Sequence, residues 1–203
     1  MNYFVRLALS LILFAASAQL PLAQETKPKS EQAPADSPIE SNPKAWKEFS
    51  SQEGFFSVLL PGTPAQQSQK INTTAGPLDY FTYALQTGLA SYFIAYVDFP
   101  EVPDDASGVK KILDGGRDGA LAIANGKLIA EAEISLKGIP GRALTIEGAN
   151  ALIKARVYLA GLRLYILMMV TNKEQAASPE SVKLYEATVS RFLDSFKLTA
   201  RKN

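Results

Sequence analysis

Between residues 55 and 99, apolar and polar positions alternate in short runs closed by turn residues. Residues 55–60, FFSVLL, read as a strand stopped by the turn Pro61-Gly62-Thr63-Pro64, and 67–73, 78–86 and 91–99 read as further strands rich in Tyr, Phe, Ile and Thr. Pro100 and Pro103 end this run. The period then lengthens: Val109, Ile112, Leu113, Gly116, Ala120, Ile123 and Ala124 keep the three-and-four spacing of an amphipathic helix, with Asp105 or Ser107 as N-cap. After the turn pair Asn125-Gly126, strands return at 127–136, 142–147, 151–159 and 162–171. Their separators are Gly138-Ile139-Pro140-Gly141, Gly148-Ala149-Asn150 and Ala160-Gly161, short enough that antiparallel hairpins are the expected connections. The run RLYILMMV is apolar at both parities, which predicts a central strand covered on each side. A closing helix starts at Ser178-Pro179, with Val182, Tyr185, Val189, Phe192, Leu193 and Phe196 as its stripe. Strands, helix, strands, helix is the order of an α+β domain on a mostly antiparallel sheet.

The stretch KILDGGRDGAL (residues 111–121) falls inside the first helix and admits a second reading, an anion-cradling loop. Phosphate loops need G-x-x-x-x-G-K-[ST] or G-x-G-x-x-G, and neither spacing occurs; two aspartates would also repel an anion. On a helix, Gly116, Gly119 and Ala120 fall on or beside the buried stripe, where absent side chains let the helix lie close to a sheet. Lys110, Asp114, Arg117 and Asp118 gather on the other side, with Lys110 and Asp114 as an i, i+4 pair.

The N-terminal region has a different character. Arg6, the apolar run from Leu7 to Ala18 and the small-x-small tripeptide Ala16-Ser17-Ala18 are built like a secretory signal peptide, with a second potential cut after Ala23 or Gln24. The run is short for a bilayer span, and no cysteine offers a lipid attachment point. Residues 24–44, rich in Pro, Ser, Glu and Lys and without an aromatic, bury too little apolar area to offset their ordering entropy. The organisation expected is a signal peptide over 1–23, a disordered linker over 24–45 and one folded domain over 46–200.

Composition narrows the chemistry. The apolar share of 47% in 203 residues is that of one globular domain with extensions. Lys plus Arg number 21 against 20 for Asp plus Glu, which leaves no electrostatic footprint for nucleic acid. With neither cysteine nor histidine there are no thiol nucleophiles, disulfides, thiolate or imidazole metal ligands, nor the commonest general base.

Certain residues are familiar in combination. The opening Trp46-x-x-Phe49-Ser50-Ser51-x-x-Gly54-Phe55-x-Ser57-Val58-x-Leu60-Pro61-Gly62-x-Pro64, the Gly138-x-Pro140-Gly141-Arg142 hairpin and the closing Arg191-Phe192-Leu193-Asp194-Ser195-Phe196 resemble exported bacterial domains of the PsbP-like class, named after an extrinsic subunit of photosystem II. The resemblance spans roughly residues 46–198. It implies an α/β/α sandwich, a central antiparallel sheet flanked by helices, in proteins known mainly as binding or assembly factors; related folds serve as carriers. No metal or partner site is carried over, because the chain has no histidine and no charged motif matching one.

Several residues are candidates for a site. Arg142, Arg156 and Arg163 lie on successive predicted strands and would hold an anionic group if they converged, since arginine offers a planar fork to carboxylate or phosphate. The alternative is pairing with Glu131, Glu133 or Glu147 on an ordinary sheet face. Asp114, Arg117 and Asp118 are the candidates on the helix, and a catalytic role would need a cleft where the two aspartates meet an arginine with one carboxyl pKa raised. Tyr80, Tyr83, Tyr92 and Tyr96 would line a cleft or, as favoured here, pack in the core. Asp98, Glu101, Asp104 and Asp105 surround a bend but lack the spacing of a calcium loop, and no metal or cofactor is expected. The function expected is an exported, periplasmic or extracellular binding or assembly module without catalysis, acting on a protein or membrane-associated partner. Its alternative is a carrier of an apolar, lipid-like ligand, marked by a large cavity between the Met168-Met169 strand and the helices.

Overall fold

The strand apolar at both parities organises the molecule. In the computed structural model, which describes residues 41–199 except 74, 75 and 104, this strand is β9 (Arg163–Asn172), the middle member of a seven-stranded antiparallel sheet. On one side of it lie β5 (Ala90–Asp98), β4 (Gly76–Gln86) and the edge strand β3 (Ala65–Thr73). On the other lie β8 (Ala151–Ala160), β7 (Ile139–Glu147) and the edge strand β6 (Lys127–Leu136). Leu164, Ile166 and Met168 point into one core and Tyr165, Leu167 and Met169 into the other, as period two requires.

The first core is closed by α1 (Ala106–Ala124), which packs mainly on β7, β8 and β9. The helix is regular through Gly115-Gly116, so the anion-loop reading of that stretch fails. Asp105, not Ser107, is the N-cap, its Oδ1 accepting from Gly108 N at 2.9 Å, and Asn125 ends the helix in the left-handed region. At Gly116 a Cβ would stand 2.7 Å from Val157 Cγ1 and 3.2 Å from Leu164 Cδ2, so the glycine sets how closely helix and sheet approach.

The second core is covered by α2 (Pro179–Leu193) together with a three-stranded sheet of β1 (Lys47–Ser51), β2 (Phe56–Leu60) and β10 (Lys197–Leu198). The sequence pattern shows the strand at β2 but neither its separation from the large sheet nor its two short partners. Two helix residues are also placed differently from the expected stripe. Val182 is 42% exposed, and Phe196 lies beyond the helix, buried against Phe56, Tyr158 and Tyr165 at ring distances of 5.6 to 5.8 Å. Pro140 belongs to β7 rather than to a turn; it pairs only with β6, at the end of the strand, where its missing N–H costs no bond to β8. The turn is Lys137-Gly138, both at positive φ, the two-residue hairpin geometry that matches strand twist.

The architecture is therefore α+β with mostly antiparallel pairing. Among the described residues no helix is long and apolar enough to cross a membrane. The predicted signal peptide over 1–23 and the greater part of the predicted linker fall outside the described residues; at 42–45 the chain makes a 3-10 turn capped by Asn42.

Candidate functional site

Strand parity decides where each candidate arginine goes. Leu144 and Ile146 of β7 face α1, so Arg142, two residues earlier, does too, opposite Glu133 on β6 and beside Glu131. There Arg142 is buried, with Nη2 3.0 Å from Asp114, Nε 3.1 Å from Glu131 and Nη1 3.6 Å from Glu133. Arg142 Nε and Glu131 Oε1 are close but poorly aligned for a hydrogen bond, so this contact is an ion pair held by charge. Arg117 closes the group from the helix, donating from Nε to Asp118 at 2.9 Å and lying 3.4 Å from both Asp114 and Glu131. Lys110 adds a 2.8 Å bond to Asp114.

Four of the six candidates thus meet in one network, and every charge in it has an opposite charge within ion-pair distance. Burial raises the Asp114 pKa, but the Lys110 hydrogen bond and the charges of Arg117, Lys110 and Arg142 outweigh it and hold the carboxyl below its ordinary value. A general acid needs the opposite shift. Arg117 shows the converse: its hydrogen bond to Asp118 raises it further against the opposing effect of burial.

Arg156 and Arg163 do not join this group, contrary to the convergence considered from sequence. Arg156 pairs with Ala143 in register and so faces the α2 side, where it donates to the Leu193 carbonyl at 3.1 Å and pairs with Asp194 at the helix C-terminus. Arg163 begins β9 and grips Asp98 with two bonds of 2.6 and 2.5 Å. Adjacent strands place successive arginines on opposite faces or ends of the sheet, which chain order alone does not reveal. Of the acidic bend, Asp98 is engaged by Arg163 and Asp105 caps α1, while Asp104 lies outside the described residues. Among the described residues no group of three or more acidic side chains is placed to hold a metal.

Arg163 also belongs to a second constellation that the sequence reading missed. Its Nη1 donates to the Glu53 carbonyl at 2.6 Å, and its guanidinium lies over the rings of Tyr96 and Phe55, 4.3 and 5.2 Å from their centroids. Tyr165 donates to the Gly54 carbonyl, Ser51 Oγ accepts from Gly54 N and bonds Tyr83, and Thr199 N donates to the Phe55 carbonyl, each within 2.9 Å. These bonds hold Phe55 at φ 50°, a left-handed conformation that a bulky residue adopts only when its surroundings impose it. Phe55, Leu162, Arg163 and Leu198 line an open groove of about 470 Å³ at this end, where Leu162 is 50% exposed. The four tyrosines all pack in the interior, Tyr80 on the α1 side and Tyr83, Tyr92 and Tyr96 on the other.

No family model matches this chain, and no curated protein matches it. Among solved structures, the solution structure of cyanobacterial PsbP (CyanoP) from Synechocystis sp. PCC 6803 is similar over 75% of this chain and 92% of its own, at 12% identity and a TM-score of 0.50. A crystal structure of a protein of unknown function from Pseudomonas aeruginosa covers 78% of this chain and 99% of its own, at 12% identity and a TM-score of 0.37. The fold is PsbP-like, as the sequence motifs imply.

Proposed function

We propose that this chain is an exported, non-catalytic PsbP-like module of the periplasm or cell exterior that works by binding a protein or membrane-associated partner. Its layers are read as an α/β/α sandwich whose second face shares its cover with the small sheet. The observation that carries the binding reading is the braced end of the molecule. A strained turn fixed by bonds from β9, β4 and the chain after β10 presents Phe55 beside exposed Leu162 over a ready-made groove. A preformed surface of this kind loses little conformational entropy on association. The matched charges of the Asp114 network favour a structural use of those residues over a catalytic one. The carrier reading has less support. The void between α1 and the sheet measures about 30 Å³, whereas pockets enclosing a whole ligand run to about 300 Å³ or more.

A photo-crosslinking residue at position 162, compared with one at exposed Ile129 on the far edge strand, tests this in cells of the source organism. A discrete adduct is expected at 162 and not at 129, and Leu162→Asp should remove co-purification of the same partner. Equal labelling at both positions, or a partner indifferent to Leu162→Asp, overturns the reading. N-terminal sequencing of the mature chain tests the export arm, with a start just after Ala18, Ala23 or Gln24 expected.

A further inference from the structure

The two edges of the large sheet differ in how they are guarded. An edge strand presents a row of unpaired N–H and C=O groups, a template for another strand, which proteins blunt with bulges, charges, proline or a cover. β6 carries such devices: a bulge between Leu128 and Ala130, and the charges of Lys127, Glu131 and Glu133 along its length. β3 carries almost none. Its pairing with β4 runs unbroken over 9 residues, from Ala65 opposite Ala84 to Thr73 opposite Gly76, and it contains no proline. Its one charge, Lys70, is offset by Asp79, its partner in register, 3.0 Å away. Every residue from Ala65 to Lys70 is exposed, so among the described residues nothing lies over this edge.

The side chains of β3 decide which strand fits there. Gln66, Gln67, Ser68, Gln69 and Asn72 are neutral, and each can both donate and accept, so the strand is complementary to its own reverse. We propose that a second copy of this chain pairs with β3 antiparallel about a two-fold axis at Gln69, which joins the two seven-stranded sheets into one. An axis relating hydrogen-bonded antiparallel strands stands perpendicular to the sheet, so both copies keep their α1 layers on the same side. This centre engages the whole strand. It sets Gln69 opposite its own mate, Gln66 opposite Asn72 of the partner subunit, and Lys70 opposite Ser68 of the partner subunit. A centre at Lys70 would instead put two like charges in direct opposition. The net charge of the chain, +1, adds no long-range repulsion between copies. Because a two-fold contact closes on itself and β6 is guarded, association stops at the dimer. No β3 residue lines the Phe55–Leu162 groove, and this interface does not depend on the partner reading.

The chain has no cysteine, so a single introduced one reports on its own surroundings. In the protein produced from its full sequence, Gln69→Cys should crosslink to its mate on mild oxidation, because residues in direct antiparallel opposition have Cα atoms about 4.5–5.5 Å apart, within disulfide reach. Gln67→Cys, on the same face, should not, since its mate lies roughly 14 Å away. Sedimentation velocity of the unmodified chain should show a concentration-dependent dimer. Gln69→Glu and Gln69→Lys should each weaken it about 2- to 5-fold by opposing like charges, and an equimolar mixture of the two should restore it. Position 69 is exposed, so neither change disturbs a core. A chain that stays monomeric at every concentration, crosslinking at 67 equal to that at 69, or a mixture that associates no more tightly than either charged variant alone overturns the assignment.

Discussion

Arg142 is the residue whose loss should be felt most among the charged side chains. Its side chain is 8% exposed, and removing it leaves Asp114 and Glu131, both mostly buried, with Arg117 and Lys110 alone to balance them. Breaking a buried pair from one side costs about 3–5 kcal/mol, and the partial exposure of the carboxylates places Arg142→Ala nearer about 2–3 kcal/mol by denaturant unfolding. Lysine there keeps the charge but not the fork, and should recover only part of the loss. The same network sets a pH dependence. The Asp114 pKa is lower folded than unfolded, so its contribution is complete above the unfolded value of about 3.9 and is lost as pH falls through the folded value. Urea midpoints at pH 6 and pH 3 should therefore converge in Asp114→Asn relative to the wild type. That these residues carry charge on one helix face was legible from spacing. Which arginine reached them was not, because strand parity and sheet order, rather than chain order, bring Arg142 under α1 and send Arg156 and Arg163 elsewhere.

At the scale of elements, α1 was readable because period, cap and stop residues agree: Asp105 before it, apolar positions at three-and-four spacing within it, Asn125 after it. β9 was readable because only a strand covered on both faces is apolar at every position. The small sheet was not readable. β10 has two residues, and the hydrogen bond from Leu59 N to Ser195 Oγ that ties the end of α2 to β2 spans 136 positions of sequence. The glycine at 116 shows how element and packing compete. Alanine would gain about 1 kcal/mol of helix propensity. Its methyl would meet Val157 Cγ1 at 2.7 Å, and a β-branched side chain has little freedom to yield. Gly116→Ala should therefore destabilise the protein by about 1–3 kcal/mol, the range for an overpacked core; a stabilised variant would mean that α1 is free to lift from the sheet.

At the scale of the whole molecule, the two cores share a single layer. Every strand from β4 to β9 other than β6 and β7 contributes buried residues to both, so neither core keeps its floor if the sheet dissolves. The two should then unfold as one cooperative unit. The chain's single tryptophan makes this testable, because Trp46 lies in the core under α2, packed edge-on against Tyr92 at 5.8 Å, while Gly116 lies in the core under α1. Phe196→Ala, in the Trp46 core, should cost about 3–5 kcal/mol as an emptied aromatic site. Gly116→Ala perturbs the opposite side. In both variants the transition followed by Trp46 fluorescence should coincide with that followed by backbone circular dichroism. A Trp46 transition unmoved by Gly116→Ala, while the circular dichroism midpoint falls, would mean that the α1 face opens on its own.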